Sequence, residues 1–153
     1  MKITVAAEPF DSTEAQRLIA ALDAHLASRY SADQRFGPNL KPEHLATGLG
    51  TFVVARAGGR AVGCGALRRL DEATAEVKRM YVEPELRGQG VAKEILDHLE
   101  AAERAMGIHR LVLETGIYQA EAIGLYRRVG FKPVRCWGEY EGVLTSVCFE
   151  KNV

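Results

Sequence analysis

Apolar residues recur along this chain with two different periods, and each change of period marks an element. Lys2 to Ala7 reads as a short strand. Ala15, Leu18, Ile19, Leu22 and Leu26 then fall at helical spacing, which predicts an amphipathic helix over about residues 12–28. Asp11 stands three residues before Glu14, a start resembling a capping box with Asp in place of Ser or Thr. Residues 30–42 hold Tyr30, Arg35, Phe36, Gly37 and Pro38 without any period. They read as a loop, with a short helix opening near Pro42.

Further on, Thr51 to Ala57 and Arg60 to Arg68 are β-type runs joined by Gly58-Gly59, a two-residue hairpin signal. Asp71-Glu72 turns the chain into a strand over about Ala73 to Val82. Val91, Ile95, Leu96, Leu99, Ala102 and Met106 define a long helix that Gly107 stops. Leu111-Val112-Leu113 has the unbroken apolar character of a strand covered on both faces. Gln119 to Val129 predicts another helix, with Arg127 and Arg128 in its last turn and Gly130 past its end. Phe131 to Arg135 and Thr145 to Lys151 are strands on either side of a loop containing Trp137 and Tyr140.

An antiparallel meander therefore runs into a β-α-β crossover. That order predicts an α/β (α+β) fold: a mixed sheet of about seven strands flanked by about four helices. No repeat or linker divides the chain, so residues 1–153 are expected to form a single domain.

Composition narrows the function classes. Twenty basic side chains balance twenty acidic ones, so no overall charge draws the chain to nucleic acid or to an anionic membrane. The N-terminal apolar run is cut short by Glu8 and Asp11, unlike a signal peptide. No stretch approaches the ~20 apolar residues of a membrane span. Cys64, Cys136 and Cys148 are odd in number and lack CxxC spacing. They are expected to be buried or half-buried thiols in a reducing cytoplasm. With four scattered histidines they offer no metal cluster, and no metal is expected.

The most informative segment runs from Tyr81 through Arg87-Gly88-Gln89-Gly90-Val91-Ala92 to Lys93. A strand ends, the chain turns through two glycines, and a long helix starts. The first N–H groups of a helix lack intrahelical partners and carry the positive end of its dipole, which suits a phosphate. Glycine lets the backbone approach such an anion closely. Arg87 adds a cation, and Lys93 is a candidate second one. A tight connection with no ligand would look the same on the glycines alone. Two other phosphate motifs are excluded: a Rossmann fingerprint would need glycine where Lys93 stands, and no GxxxxGK[ST] spacing occurs.

The segment resembles the pyrophosphate-binding motif [RQ]-x-x-G-x-[GA] of the GNAT superfamily, with Arg87, Gly90 and Ala92 in the defined places. The preceding Lys78-Arg79-Met80-Tyr81-Val82-Glu83-Pro84 is similar to that family's strand end. So is the later Glu121 to Phe131, with Tyr126 inside it. The resemblance implies an acetyl-CoA-dependent N-acetyltransferase that moves an acetyl group to a primary amine by direct attack. It implies that main-chain groups of Met80, Tyr81 and Val82 bond the pantetheine arm. The amides of Gly88, Gln89, Gly90, Val91, Ala92 and Lys93, with Arg87, would hold the pyrophosphate.

Acetyl transfer to an amine requires loss of an ammonium proton and protonation of the departing thiolate. Under the resemblance Tyr126 is the candidate acid at the sulfur; otherwise it is an aromatic packed on the sheet. Glu76, Lys78 and Arg79 place charge on both faces of a strand that should be apolar unless it borders a solvated cleft. The resemblance makes Glu76 the candidate base, because some members of that family use a glutamate at its place, eleven residues before Arg87. Its alternative is an ion pair with Lys78 or Arg68, or a wet strand edge. The histidines His98 and His109 have no partner that the sequence identifies. Segments Tyr30 to Pro38, Glu114 to Tyr118 and Trp137 to Glu141 are expected to surround the acceptor, a small molecule or a peptide. The competing reading is a sensor that binds acetyl-CoA or CoA without turnover. Self-association into a homodimer is left open by the sequence.

Overall fold

The computed structural model describes residues 2–31 and 40–153. Its strands are β1 (Ile3–Ala7), β2 (Gly50–Ala57), β3 (Arg60–Arg69), β4 (Thr74–Val82), β5 (Arg110–Gly116), β6 (Lys132–Val134) and β7 (Ser146–Asn152). They form one sheet in the order β1-β2-β3-β4-β5-β7-β6. Every neighbouring pair is antiparallel except β4 and β5, which run parallel because α2 (Val91–Ala105) intervenes as a crossover. The other α-helices are α1 (Thr13–Arg29) and α3 (Ala120–Arg128). The fourth expected helix, near Pro42, is a 3-10 turn over Pro42–Leu45.

Alternation along β2 shows how the layers form. Phe52 and Val54 pack with Ala15, Leu18 and Ile19 of α1, while Val53 and Ala55 pack with Ile95, Leu96 and Leu99 of α2. Both faces of the sheet are thus buried, and each helix presents one apolar stripe to it. Burying one such leucine contributes roughly 2 kcal/mol. Among the described residues no helix is long and apolar enough to cross a membrane.

The start of α1 corrects the expected cap. Ser12, not Asp11, accepts the N–H of Ala15 at 3.1 Å. Asp11, Ser12 and Thr13 are all competent to cap. The Ser12 hydroxyl is the one that also donates to Glu8 (2.6 Å), which fixes the choice. At the other end of α1, Tyr30 leaves the helix in extended conformation and is buried. Its hydroxyl accepts the N–H of Tyr118 at 3.1 Å, and its ring lies 5.1 Å from that of Tyr118. A Cβ on Gly116 would collide with the Tyr30 hydroxyl, so this glycine is what lets α1 dock against the end of β5.

One buried group disturbs this packing. Glu103 of α2 is fully buried, and neither carboxyl oxygen has a partner among the described residues. Burial pushes its carboxyl up to about 7, against the pull of Arg104 and with the push of Glu100. The folded protein therefore holds a proton there that the unfolded chain releases near its ordinary value of 4.5. Stability from this group is complete below 4.5, is lost as pH rises toward 7, and stays flat above. Glu103→Gln should abolish that decline and raise the melting temperature at pH 8. Identical pH–melting curves for the two proteins would contradict the assignment.

Candidate functional site

Register decides where this molecule opens. Strands β4 and β5 pair only over Thr74↔Arg110, Ala75↔Leu111 and Glu76↔Val112. Beyond Glu76 the partners separate, although β4 continues to Val82 and β5 to Gly116. The edge of β4 that faces β5 is left without ladder partners from Val77 onward.

A bulge in β4 shapes the same stretch. Cys64 pairs with Tyr81 and Ala66 with Lys78, so Arg79 and Met80 together stand opposite Gly65. Arg79 takes φ 57, the sole positive value among the described non-glycine residues. Its carbonyl accepts the Cys64 thiol (3.2 Å) and its guanidinium pairs with Asp23 of α1 (2.8 Å), which hold this conformation in place. Burial pushes that thiol up to about 12, so Cys64 remains protonated. The bulge also corrects the reading of charge on both faces. Ala75, Val77 and Val82 belong to the core under α2. Glu76, Lys78 and Arg79 all lie on the α1 face, because the extra residue turns Arg79 to the side of Lys78.

At the end of β4 comes the glycine turn. Gly88 has φ 77 and Gly90, the N-cap of α2, has φ 88. The first bond closing the helix runs from Glu94 N–H to the Gly90 carbonyl at 3.1 Å. The N–H groups of Val91, Ala92 and Lys93 thus have no intrahelical acceptor. A Cβ on Gly88 or Gly90 would meet open space among the described residues. Arg87 donates from Nε to the Val82 carbonyl (2.9 Å) and lies over the Tyr81 ring at 5.6 Å, tying the turn to the strand end. Gln89 bonds the Glu85 carbonyl (3.1 Å) and Lys93 pairs with Asp97 (2.9 Å).

Where β4 and β5 part, polar groups from distant parts of the chain meet on the α1 face. Glu76 is only 3% exposed and accepts the Tyr140 hydroxyl at 2.7 Å. Lys78 Nζ donates to the same hydroxyl at 3.2 Å and lies 3.5 Å from Glu76. The expected ion pair is thus with Lys78; Arg68 stands opposite Glu76 in register but makes none. Tyr140 ends a short 3-10 turn (Gly138–Tyr140), is buried, and meets Trp137 edge to face at 5.3 Å. Burial and then the charge of Glu76 push its phenol up. Glu114 of β5 accepts the Ser146 hydroxyl at 2.7 Å, and burial pushes its carboxyl up. Sequence reasoning placed Tyr140 and Glu114 near the acceptor but assigned neither a contact; no local pattern links residues 64 apart.

Tyr126 lies on the opposite face, in the core under α2 and α3. Its ring packs against Phe131 (5.7 Å) and Phe149 (6.3 Å), with 6% of the residue exposed. The hydroxyl has no hydrogen-bond partner among the described residues, and burial holds the phenol protonated. Of the expected acceptor segments, Glu114 to Tyr118 and Trp137 to Glu141 do border this region. Most of Tyr30 to Pro38 lies outside the described residues.

The cysteines require a correction. Cys136 and Cys148 are joined as a disulfide; only Cys64 is a free, buried thiol. Cys148 pairs in register with Val134 of β6 and with Glu114 of β5, which brings Cys136, two residues after β6 ends, alongside it. Spacing alone could not reveal a contact made through strand pairing. Among the described residues no group of three or more His, Cys, Asp or Glu is placed to hold a metal ion.

Known proteins share this fold. The sequence model of the acetyltransferase (GNAT) family matches residues 16–131. The chain is 38% identical to an IAA acetyltransferase of Azospirillum brasilense over 150 residues, 97% of each chain. It superimposes with a TM-score of 0.83 on a Klebsiella pneumoniae protein classed with the acyl-CoA N-acyltransferases. That pair shares 34% identity over 98% of this chain and 97% of the other. The PaiA N-acetyltransferase of Thermoplasma acidophilum, solved with coenzyme A, shares the fold at a TM-score of 0.74 and 19% identity, over 100% of both chains. By fold and sequence together this is an acyltransferase. The chain belongs to the GNAT family of acetyltransferases, and acetyl transfer to nitrogen is its reaction class.

Proposed function

We propose that residues 1–153 act as one catalytic domain, moving the acetyl group of acetyl-CoA directly to the primary amine of a small molecule or peptide. One observation carries the reading: the unpaired edge of β4 is followed, after a short turn, by the unpaired amides at the mouth of α2. A long molecule with amide groups along its arm and phosphates at one end matches both features.

In this reading the main chain of Met80, Tyr81 and Val82 bonds the pantetheine arm as a neighbouring strand would. The amides of Gly88, Gln89, Gly90, Val91, Ala92 and Lys93 face the pyrophosphate, helped by the helix dipole. Arg87 braces the turn through Val82 and Tyr81. The Lys93 ammonium is engaged by Asp97, so its amide is the contributing group. No metal enters the scheme.

The chemistry uses both faces of the opening. The acceptor nitrogen comes from the α1 face, forms the new N–C bond and gives its proton to Glu76, whose second oxygen Tyr140 holds. As the C–S bond breaks, Tyr126 gives its proton to the sulfur from the other face. A phenol kept protonated by burial suits that role.

Two experiments test this. CoA should raise the melting temperature of the wild-type protein by mass action. Gly90→Val forces a β-branched residue into a left-handed conformation (φ 88) and should largely remove that rise. An equal rise in a folded Gly90→Val protein would overturn the cofactor site.

The pH dependence of kcat/KM, measured with one acceptor throughout, tests the base. Its rising limb should vanish in Glu76→Gln. Near-normal activity of Glu76→Gln at all pH values would reduce Glu76 to the ion partner of Lys78.

A further inference from the structure

Among the described residues, Arg68 on the α1 face of the opening has no acidic partner. It is partly buried at the end of β3 and lies directly across from Glu76 in register. Alternation puts it on the α1 face: Leu67 before it belongs to the α2 core, and Arg69 after it reaches the Met106 carbonyl at the end of α2 (2.6 Å). Its charged neighbours in the polar cluster are partnered: Glu76 has Lys78 and Tyr140, Glu114 has Ser146, and Arg79 has Asp23. Among the described residues Arg68 makes neither an ion pair nor a hydrogen bond. Its field is felt nearby: after burial, Arg68 is the strongest influence disfavouring the proton on His44, whose 3-10 turn packs over this end of β3.

A partly desolvated guanidinium without an anion is unfavourable, and its fork of donors matches a carboxylate. It stands one strand away from Glu76, roughly 5 Å across the sheet. A compact molecule bearing an amine and a carboxylate spans that distance. We propose that the acceptor is such an amino acid, with Arg68 binding its carboxylate while its amine meets Glu76 in the opening. The inference rests on the acetyl-transfer reading and adds the chemical class of the acceptor and the residue that selects it. Arg68 is thus a binding residue. Lys78 is engaged by Glu76 and Tyr140 and does not take this role.

The test uses the full chain, acetyl-CoA and a panel of α- and ω-amino acids, each beside its carboxamide. The ratio of kcat/KM for acid over carboxamide is compared between the wild type, Arg68→Gln and Arg68→Lys. Comparing that ratio across proteins cancels the lower basicity of the carboxamide amines. In Arg68→Gln the ratio should fall roughly 10- to 100-fold, through KM for the acid with kcat nearly unchanged. Arg68→Lys should retain part of the preference, and it carries the test should the glutamine variant not fold. A ratio unchanged in Arg68→Lys and Arg68→Gln would overturn the proposal, as would a wild type that acetylates carboxamides and rejects acids. Should no member of either series be acetylated while CoA still raises the melting temperature, the acceptor class is wrong and the cofactor site stands. Loss of the CoA response would instead break the acetyl-transfer reading itself.

Discussion

Three residues of parallel pairing between β4 and β5, and no more, are the constraint on which the functional part of this protein depends. Pairing β4 with β5 along its whole length would leave β4 no free main-chain edge. Parting the strands after Glu76 frees one. It costs backbone hydrogen bonds, each worth about 1 kcal/mol net, and so needs support from either side. On the α2 side that support is the apolar packing of Val77, Val82 and Leu113 with Ile95 and Leu99. On the α1 side it is the polar cluster of Glu76, Lys78 and Tyr140 together with the docking of Tyr30 on Gly116.

The two faces have different tasks because the sheet separates their environments. Tyr126 sits among aromatic rings that exclude water, which keeps its proton on the phenol. The carboxylates lie across the sheet among hydroxyls and an ammonium. In the proposed reaction the acid and the base thus approach the bound substrate from opposite faces. The disulfide Cys136–Cys148 closes the segment that carries Tyr140 into this cluster. The loop holding Tyr140 is thus tied to β7 covalently as well as by packing.

Periodicity made most of the frame legible. The helices of α1, α2 and α3, the Gly58-Gly59 hairpin and the glycine turn all announce themselves over a few neighbouring residues. What stayed hidden depends on which strands pair. The bulge at Arg79 is visible only against Gly65 of β3, so charges that read as two-faced turn out to share one face. The bond from Tyr140 to Glu76 and the disulfide to Cys148 join residues brought together by β7 and β5. Glu103 stands four residues after Leu99 and seven after Leu96, on the buried stripe of α2, but its charge marks it as a surface residue by type and only the structure shows it buried.

The central claim is that acetyl transfer occurs through the opening, with Tyr126 delivering a proton from the face opposite the base. Single-turnover rates of Tyr126→Phe, measured with CoA affinity alongside, test it most directly. The phenyl ring keeps the packing on Phe131 and Phe149, so folding and CoA binding should be unchanged. The chemical step should slow by roughly 10²- to 10⁴-fold. A wild-type single-turnover rate in a variant that binds CoA normally would contradict the account.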